Sequence, residues 1–61
     1  MTYQKAIGRI ETIAGKEVSS ITRVGIRGGR DVYTVEFNDG SESDFYIDLN
    51  IGCVEKVNWE V

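Results

Sequence analysis

The stretch GIRGGRDVYTVEFNDGSESDFYID, residues 25–48, decides the fold. β-Branched and aromatic residues alternate with polar ones around two glycine-containing breaks, the pattern of antiparallel strands joined by hairpins. Gly28-Gly29, flanked by Arg27 and Arg30, predicts a two-residue turn with positive φ at both central positions. That turn sets Val24 opposite Tyr33 and Ile26 opposite Asp31. At Asn38-Asp39-Gly40 parity separates two loops, because directly opposed residues share a face of the sheet. A two-residue Asp39-Gly40 loop places Val35 against Asp44 and mixes core with solvent. A three-residue loop with Gly40 in the left-handed position sets Phe37 opposite Ser41, Val35 opposite Ser43 and Tyr33 opposite Phe45. In that register Val24, Ile26, Tyr33, Val35, Phe37, Phe45 and Ile47 share one face. Val32, Thr34 and Glu36 then lie on the other, opposite Tyr46, Asp44 and Glu42.

Upstream, Tyr3, Ala6, Ile7, Ile10, Ile13 and Ala14 recur at helical spacing and form the stripe that can cover the apolar face. Thr2 reads as the N-cap, and Gly15 followed by Lys16 as the C-cap with a cation near the negative end of the helix. Gly8 weakens the helix by about 1 kcal/mol relative to alanine, and the expected reason is close approach of a strand. Strands are predicted near 18–26, 31–37, 43–49 and 53–60. In the last of these Val57, Trp59 and Val61 share one parity and Val54 has the other, which a bulge reconciles. Trp59 either seals the core or stands at an interface. The expected fold is a single α+β domain over residues 1–61, with helix 2–14 packed on a three- or four-stranded antiparallel sheet (αββββ).

A chain of 61 residues buries only about 60% of the surface it exposes when unfolded. With 41% hydrophobic and 28% charged residues, its composition is that of a globular domain. No apolar run approaches the roughly 18 residues of a membrane span, and the start lacks a basic segment followed by an apolar one. The expected compartment is the cytoplasm, or the extracellular space if the domain belongs to a larger exported chain. The lone Cys53 excludes an internal disulfide.

Charge is unevenly distributed. Residues 1–30 carry six Lys and Arg against Glu11 and Glu17, a net of +4, whereas residues 31–61 carry eight carboxylates against Lys56 alone, a net of -7. This asymmetry points either to an electrostatic partner or to two halves that neutralise each other across one sheet.

The order of helix, strand and glycine turn, followed by DVYTVEF at 31–37, DG at 39–40 and DFYIDLNIGCV at 44–54, resembles the PepSY domain. Tyr33 and Val35 match that family's Tyr-x-Val hairpin core. Asp48, Gly52 and Val54 match its Asp-x-x-x-Gly-x-Val turn, and AIGRIETIAGKEVSSI at 6–21 fits its opening helix. The resemblance implies a helix on an antiparallel sheet and a non-catalytic role, chiefly inhibition or regulation of peptidases. Neither an export signal nor an attached enzyme or membrane domain is expected of this chain, a departure from the family's usual setting.

The residues themselves also point away from catalysis. There is no histidine, the commonest general base and metal ligand, and one cysteine cannot build a zinc cluster. No cofactor or metal is expected. The RGGRD segment lacks the spacing and following helix of a phosphate loop, so Arg27 and Arg30, with Arg23, offer at most an anion contact. The sharper candidate is the uncovered face, where Glu36 opposes Glu42 as a destabilising like-charge pair. Asp44, Asp48 and the amphipathic Tyr46 lie beside it, and the face reads either as a docking surface for a basic protein or as a solvated surface with Arg23 relieving the repulsion. The carboxylates lack the dense spacing of a calcium loop. The expected function is a non-enzymatic module that inhibits or regulates a protein partner, as a monomer or homodimer with no direct nucleic-acid or membrane contact. The alternative is a small acidic inhibitor, of phage or mobile-element type, directed at a nucleic-acid-processing or defence enzyme.

Overall fold

The computed structural model describes residues 1–60 and consists of one helix on an open four-stranded antiparallel sheet. Helix α1 spans Tyr3–Ala14, and strands β1 (Val18–Arg27), β2 (Arg30–Phe37), β3 (Glu42–Asp48) and β4 (Cys53–Lys56) pair in sequence order. The expected α+β, αββββ architecture is therefore the observed one. Thr2 caps α1 by accepting the Lys5 N–H at 3.2 Å, and Gly15 ends it by donating to the Glu11 carbonyl at 2.8 Å.

Both predicted turns form. Arg27 pairs with Arg30 around Gly28 and Gly29, whose φ values of 59° and 78° are those that favour glycine over any L side chain. At the second turn Gly40 has φ 86°, its N–H donates to Phe37, and Phe37 N–H donates to Ser41, closing the three-residue loop. Tyr33 consequently faces Phe45, Val35 faces Ser43 and Glu36 faces Glu42.

The core holds Ala6 and Ile10 of the helix against Val35, Phe37, Phe45 and Ile47 of the sheet, with Tyr33, Ile21 and Val54 packed at its margin. Two residues expected in it are absent. Val24 is 58% exposed and Ile26 65% exposed. Ile26 does lie opposite Asp31, but Arg23 takes the place opposite Tyr33, because Val24 is the extra residue of a bulge between the Arg23–Tyr33 and Gly25–Val32 pairs. Coverage supplies the rest of the explanation. Twelve helical residues reach about 18 Å. The start of α1 is tied to the β3–β4 turn through the Met1 amino group on the Leu49 carbonyl, and its end to β1 through Glu11 Oε2 on the Val18 N–H. The corner of the sheet holding the end of β1 stays open. Tyr3 and Ile13 of the predicted stripe are likewise exposed, and Gly8 approaches no strand, since a Cβ there would meet no atom within 4 Å.

The last strand stops at Lys56, short of the expected 60, and needs no bulge. Val54 pairs with Ile47 on the core side, whereas beyond the strand Val57 donates its N–H to the Asp44 carbonyl and joins Val32 and Tyr46 in a second small cluster on the opposite face. Val61 lies outside the described residues.

The loop entering β1 is clamped to the β2–β3 turn. Lys16 pairs with Asp39 at 3.1 Å, and Asn38 bonds Glu17 through both backbone and side chain. Lys16, the residue after the Gly15 C-cap, thus ties the end of the helix to the turn. The Asp39 carboxylate accepts the Ser41 hydroxyl at 2.6 Å and the Ser41 N–H at 2.9 Å, and these bonds, ahead of Lys16, lower its pKa to about 2. A carboxylate with a depressed folded pKa stabilises the fold above its unfolded pKa, and that contribution fades as pH falls toward the folded value. Stability is therefore expected to drop between about pH 4 and pH 2, with Asp39→Asn flattening this acid limb in urea titrations at a series of pH values. An unchanged acid limb in the variant would assign the drop to other carboxylates.

Candidate functional site

The sheet face turned away from α1 divides into a cationic-aromatic part and an acidic part. By parity Arg27, Arg30 and Val32 project to this face, as does Tyr46 opposite Val32. The Arg30 guanidinium lies 4.0 Å from the Tyr46 ring centroid and pairs with Glu55 at 2.9 Å, while also reaching Cys53 Sγ at 3.2 Å. Arg27 donates to the Tyr46 hydroxyl at 2.9 Å and stacks over Trp59, 4.9 Å from its ring. The Trp59 indole N–H in turn donates to Asp44 Oδ2 at 2.9 Å, and Thr34 donates to Asp44 Oδ1 at 2.8 Å.

Several sequence-predicted residues are thereby committed to holding the fold. Tyr46 is only 9% exposed, a wall of the second cluster rather than a surface anchor. Asp44 fastens the C-terminal segment. Asp48 accepts the N–H groups of Asn50 and Ile51 and shapes the β3–β4 turn. The three arginines do not converge on one anion position: Arg23 pairs with Asp31 at 3.0 Å, and Arg27 and Arg30 bracket Tyr46. Arg23 consequently forms no ion pair with Glu36 or Glu42.

Glu36 and Glu42 remain as an exposed, directly opposed pair. Glu36 receives only long contacts from the Ser20 and Ser19 hydroxyls, at 3.4 and 3.5 Å, and no lysine or arginine pairs with either glutamate among the described residues. Trp59, 56% exposed, stands next to Asp44, with a shallow cleft of about 310 Å³ between it and Val24, Ile26 and Arg27. Trp59 and the exposed end of β1 are the features that sequence reasoning did not assign to this surface. The need of an indole N–H for an acceptor, and the parity that puts Arg27 on the Tyr46 face, are the signals that point to them.

Among the described residues no three His, Cys, Asp or Glu side chains gather as a metal site, and no helix is long and apolar enough to cross a membrane. Comparison with family models, curated proteins and solved structures yields no match.

Proposed function

We propose that this chain is a non-enzymatic, PepSY-like binding module that inhibits or regulates a protein partner through the outer face of its sheet. The observation that carries the reading is the exposed Trp59, which shares a cleft with Val24, Ile26 and Arg27 and donates its indole N–H to Asp44. Tryptophan and arginine are the residue types that dominate binding energy at protein interfaces, and a ring of weaker contacts around them excludes water. The helix on an antiparallel sheet is the fold that the PepSY resemblance implies, and the absence of histidine removes the usual proton-transfer group.

The unneutralised Glu36–Glu42 pair favours a second reading, an acidic inhibitor of phage or mobile-element type that covers the basic site of a nucleic-acid-processing or defence enzyme. Salt separates the two, because exposed charge–charge attraction is screened within a Debye length of about 8 Å at physiological ionic strength. Tagged protein is used as bait in a cytoplasmic extract at low and high salt, beside a Glu36→Lys/Glu42→Lys variant. The acidic-inhibitor reading expects one basic enzyme, released by salt and not retained by the variant. A peptidase or envelope protein held through high salt, by parent and variant alike, removes the glutamates and leaves the Trp59 surface as the site. Both readings fail if nothing saturable is retained.

A further inference from the structure

On the other side of the molecule, between α1 and Val54 of the edge strand β4, lies an open groove of about 580 Å³ whose helix wall is Lys5, Gly8, Arg9, Thr12 and Ile13. β4 pairs with β3 along one edge, and no described strand pairs with the other. An edge strand of this kind offers unpaired backbone N–H and C=O groups, the template for addition of a further strand. We propose that the groove receives an extended segment of a partner protein as a fifth strand antiparallel to β4, with carboxylates toward Lys5 and Arg9 and an apolar side chain toward Ile13.

Charge selects the occupant. Although the chain is acidic overall, this groove carries two cations and no carboxylate among its lining residues. Neither Lys5 nor Arg9 forms an ion pair among the described residues, and Arg9 reaches only the Gly52 carbonyl at 3.3 Å. Spacing fits as well: four residues along a helix rise about 6 Å, and alternate side chains of a strand recur every 6.6–6.8 Å or so. Successive inward side chains of an added strand can therefore meet Lys5 and Arg9 in turn.

Gly8 sits between these two cations. It occupies mid-helix, and no part of the chain fills the space where its side chain would be. A helical glycine with open space beside it leaves room for close approach of a partner backbone from outside. Ile13, 51% exposed further along the same groove, supplies the apolar contact. α1 begins beside Leu49 and Gly52 and runs in the same sense as β4, so an antiparallel segment meets Ile13 first and the cations afterwards. An open groove suits an extended polypeptide better than a small molecule, whose sites enclose most of its surface.

This site shares with the proposed function only the premise that the partner is a protein, and its surface is separate from the outer face. The test is a ¹⁵N NMR titration with the peptide acetyl-Thr-Ile-Thr-Glu-Thr-Glu-Thr-amide and with the same peptide carrying lysine in place of both glutamates. Expected are amide shifts at Gly8, Arg9, Ile13 and Val54 and roughly tenfold weaker binding of the lysine peptide, from two lost charge pairs. Gly8→Ala is expected to fold more stably than the parent, since its Cβ meets nothing and alanine is the better helix former, yet to bind the acidic peptide about fivefold or more weakly by filling the approach. The Glu36→Lys/Glu42→Lys variant is expected to retain peptide binding, which separates failure of this proposal from failure of the outer-face one. No shifts at the groove up to millimolar peptide, equal affinity for the two peptides, or full affinity in Gly8→Ala overturns the proposal.

Discussion

Phe45→Ala is expected to remove the larger part of the protein's folding stability at about 25 °C. Phe45 is among the largest fully buried side chains and lies within the core cluster of Ile10, Val35, Phe37 and Ile47. Truncating a buried phenylalanine removes about 3–5 kcal/mol through lost transfer energy and the cavity left behind. At about 0.05–0.15 kcal/mol per residue, a 61-residue domain has roughly 3–9 kcal/mol in all. The loss therefore approaches the whole stability, and a small sheet capped by a single helix has little scope to collapse into the void. Urea unfolding followed by far-UV circular dichroism measures it, with Ile26→Ala as the companion. That exposed position is expected to change stability by no more than about 0.5 kcal/mol. Comparable losses at both positions would mean that the helix covers the end of β1 and that the core extends to the hairpin tip.

Tyr46→Ala is expected to remove about 3 kcal/mol and to release the C-terminal segment. The ring packs with Val32 and Val57 under the Arg30 guanidinium, and its hydroxyl holds Arg27, which in turn stacks on Trp59. Tyr46→Phe keeps the ring and loses one hydrogen bond to a charged group, and so is expected to cost about 1.5 kcal/mol. Because Trp59 is the single tryptophan, its fluorescence reports release of the segment separately from global unfolding. The alanine variant should show a red-shifted emission at urea concentrations where the sheet is intact. A Tyr46→Ala protein within about 0.5 kcal/mol of the parent would return Tyr46 to the exposed role that its strand position alone implied.

These two positions also mark how far the sequence could be read. Phe45 was identified by parity alone, since a three-residue loop at Asn38-Asp39-Gly40 is the one that puts apolar opposite apolar, and the pairing of Tyr33 with Phe45 follows. Parity puts Tyr46 on its observed face and opposite its observed partner, Val32, but does not show its burial. Parity states which way a side chain points, and not what comes to lie on it. The segment after Lys56 carries Val57 and Trp59 back over this face, a long-range event with no local signature. Of the candidate surface, Glu36 and Glu42 were legible because cross-strand register depends only on turn length. Asp44 and Asp48 were not, because their hydrogen bonds are made to Trp59 and to the turn at Asn50 and Ile51.

The sequence by itself determined the helix, its caps, both glycine turns, the order and sense of the first three strands and the centre of the core. Each depends on period, φ preference or parity, properties carried within a few residues of chain. Tertiary structure alone decided the extent of coverage. A twelve-residue helix, tied at one end to the β3–β4 turn and at the other to β1, leaves the end of β1 bare and the β4 edge open, while a bulge at Val24 and a folded-back terminus redistribute which residues meet water. Exposure is set by the lengths and crossing of elements that meet only when the chain is folded, and that is where the surfaces available to a partner are made.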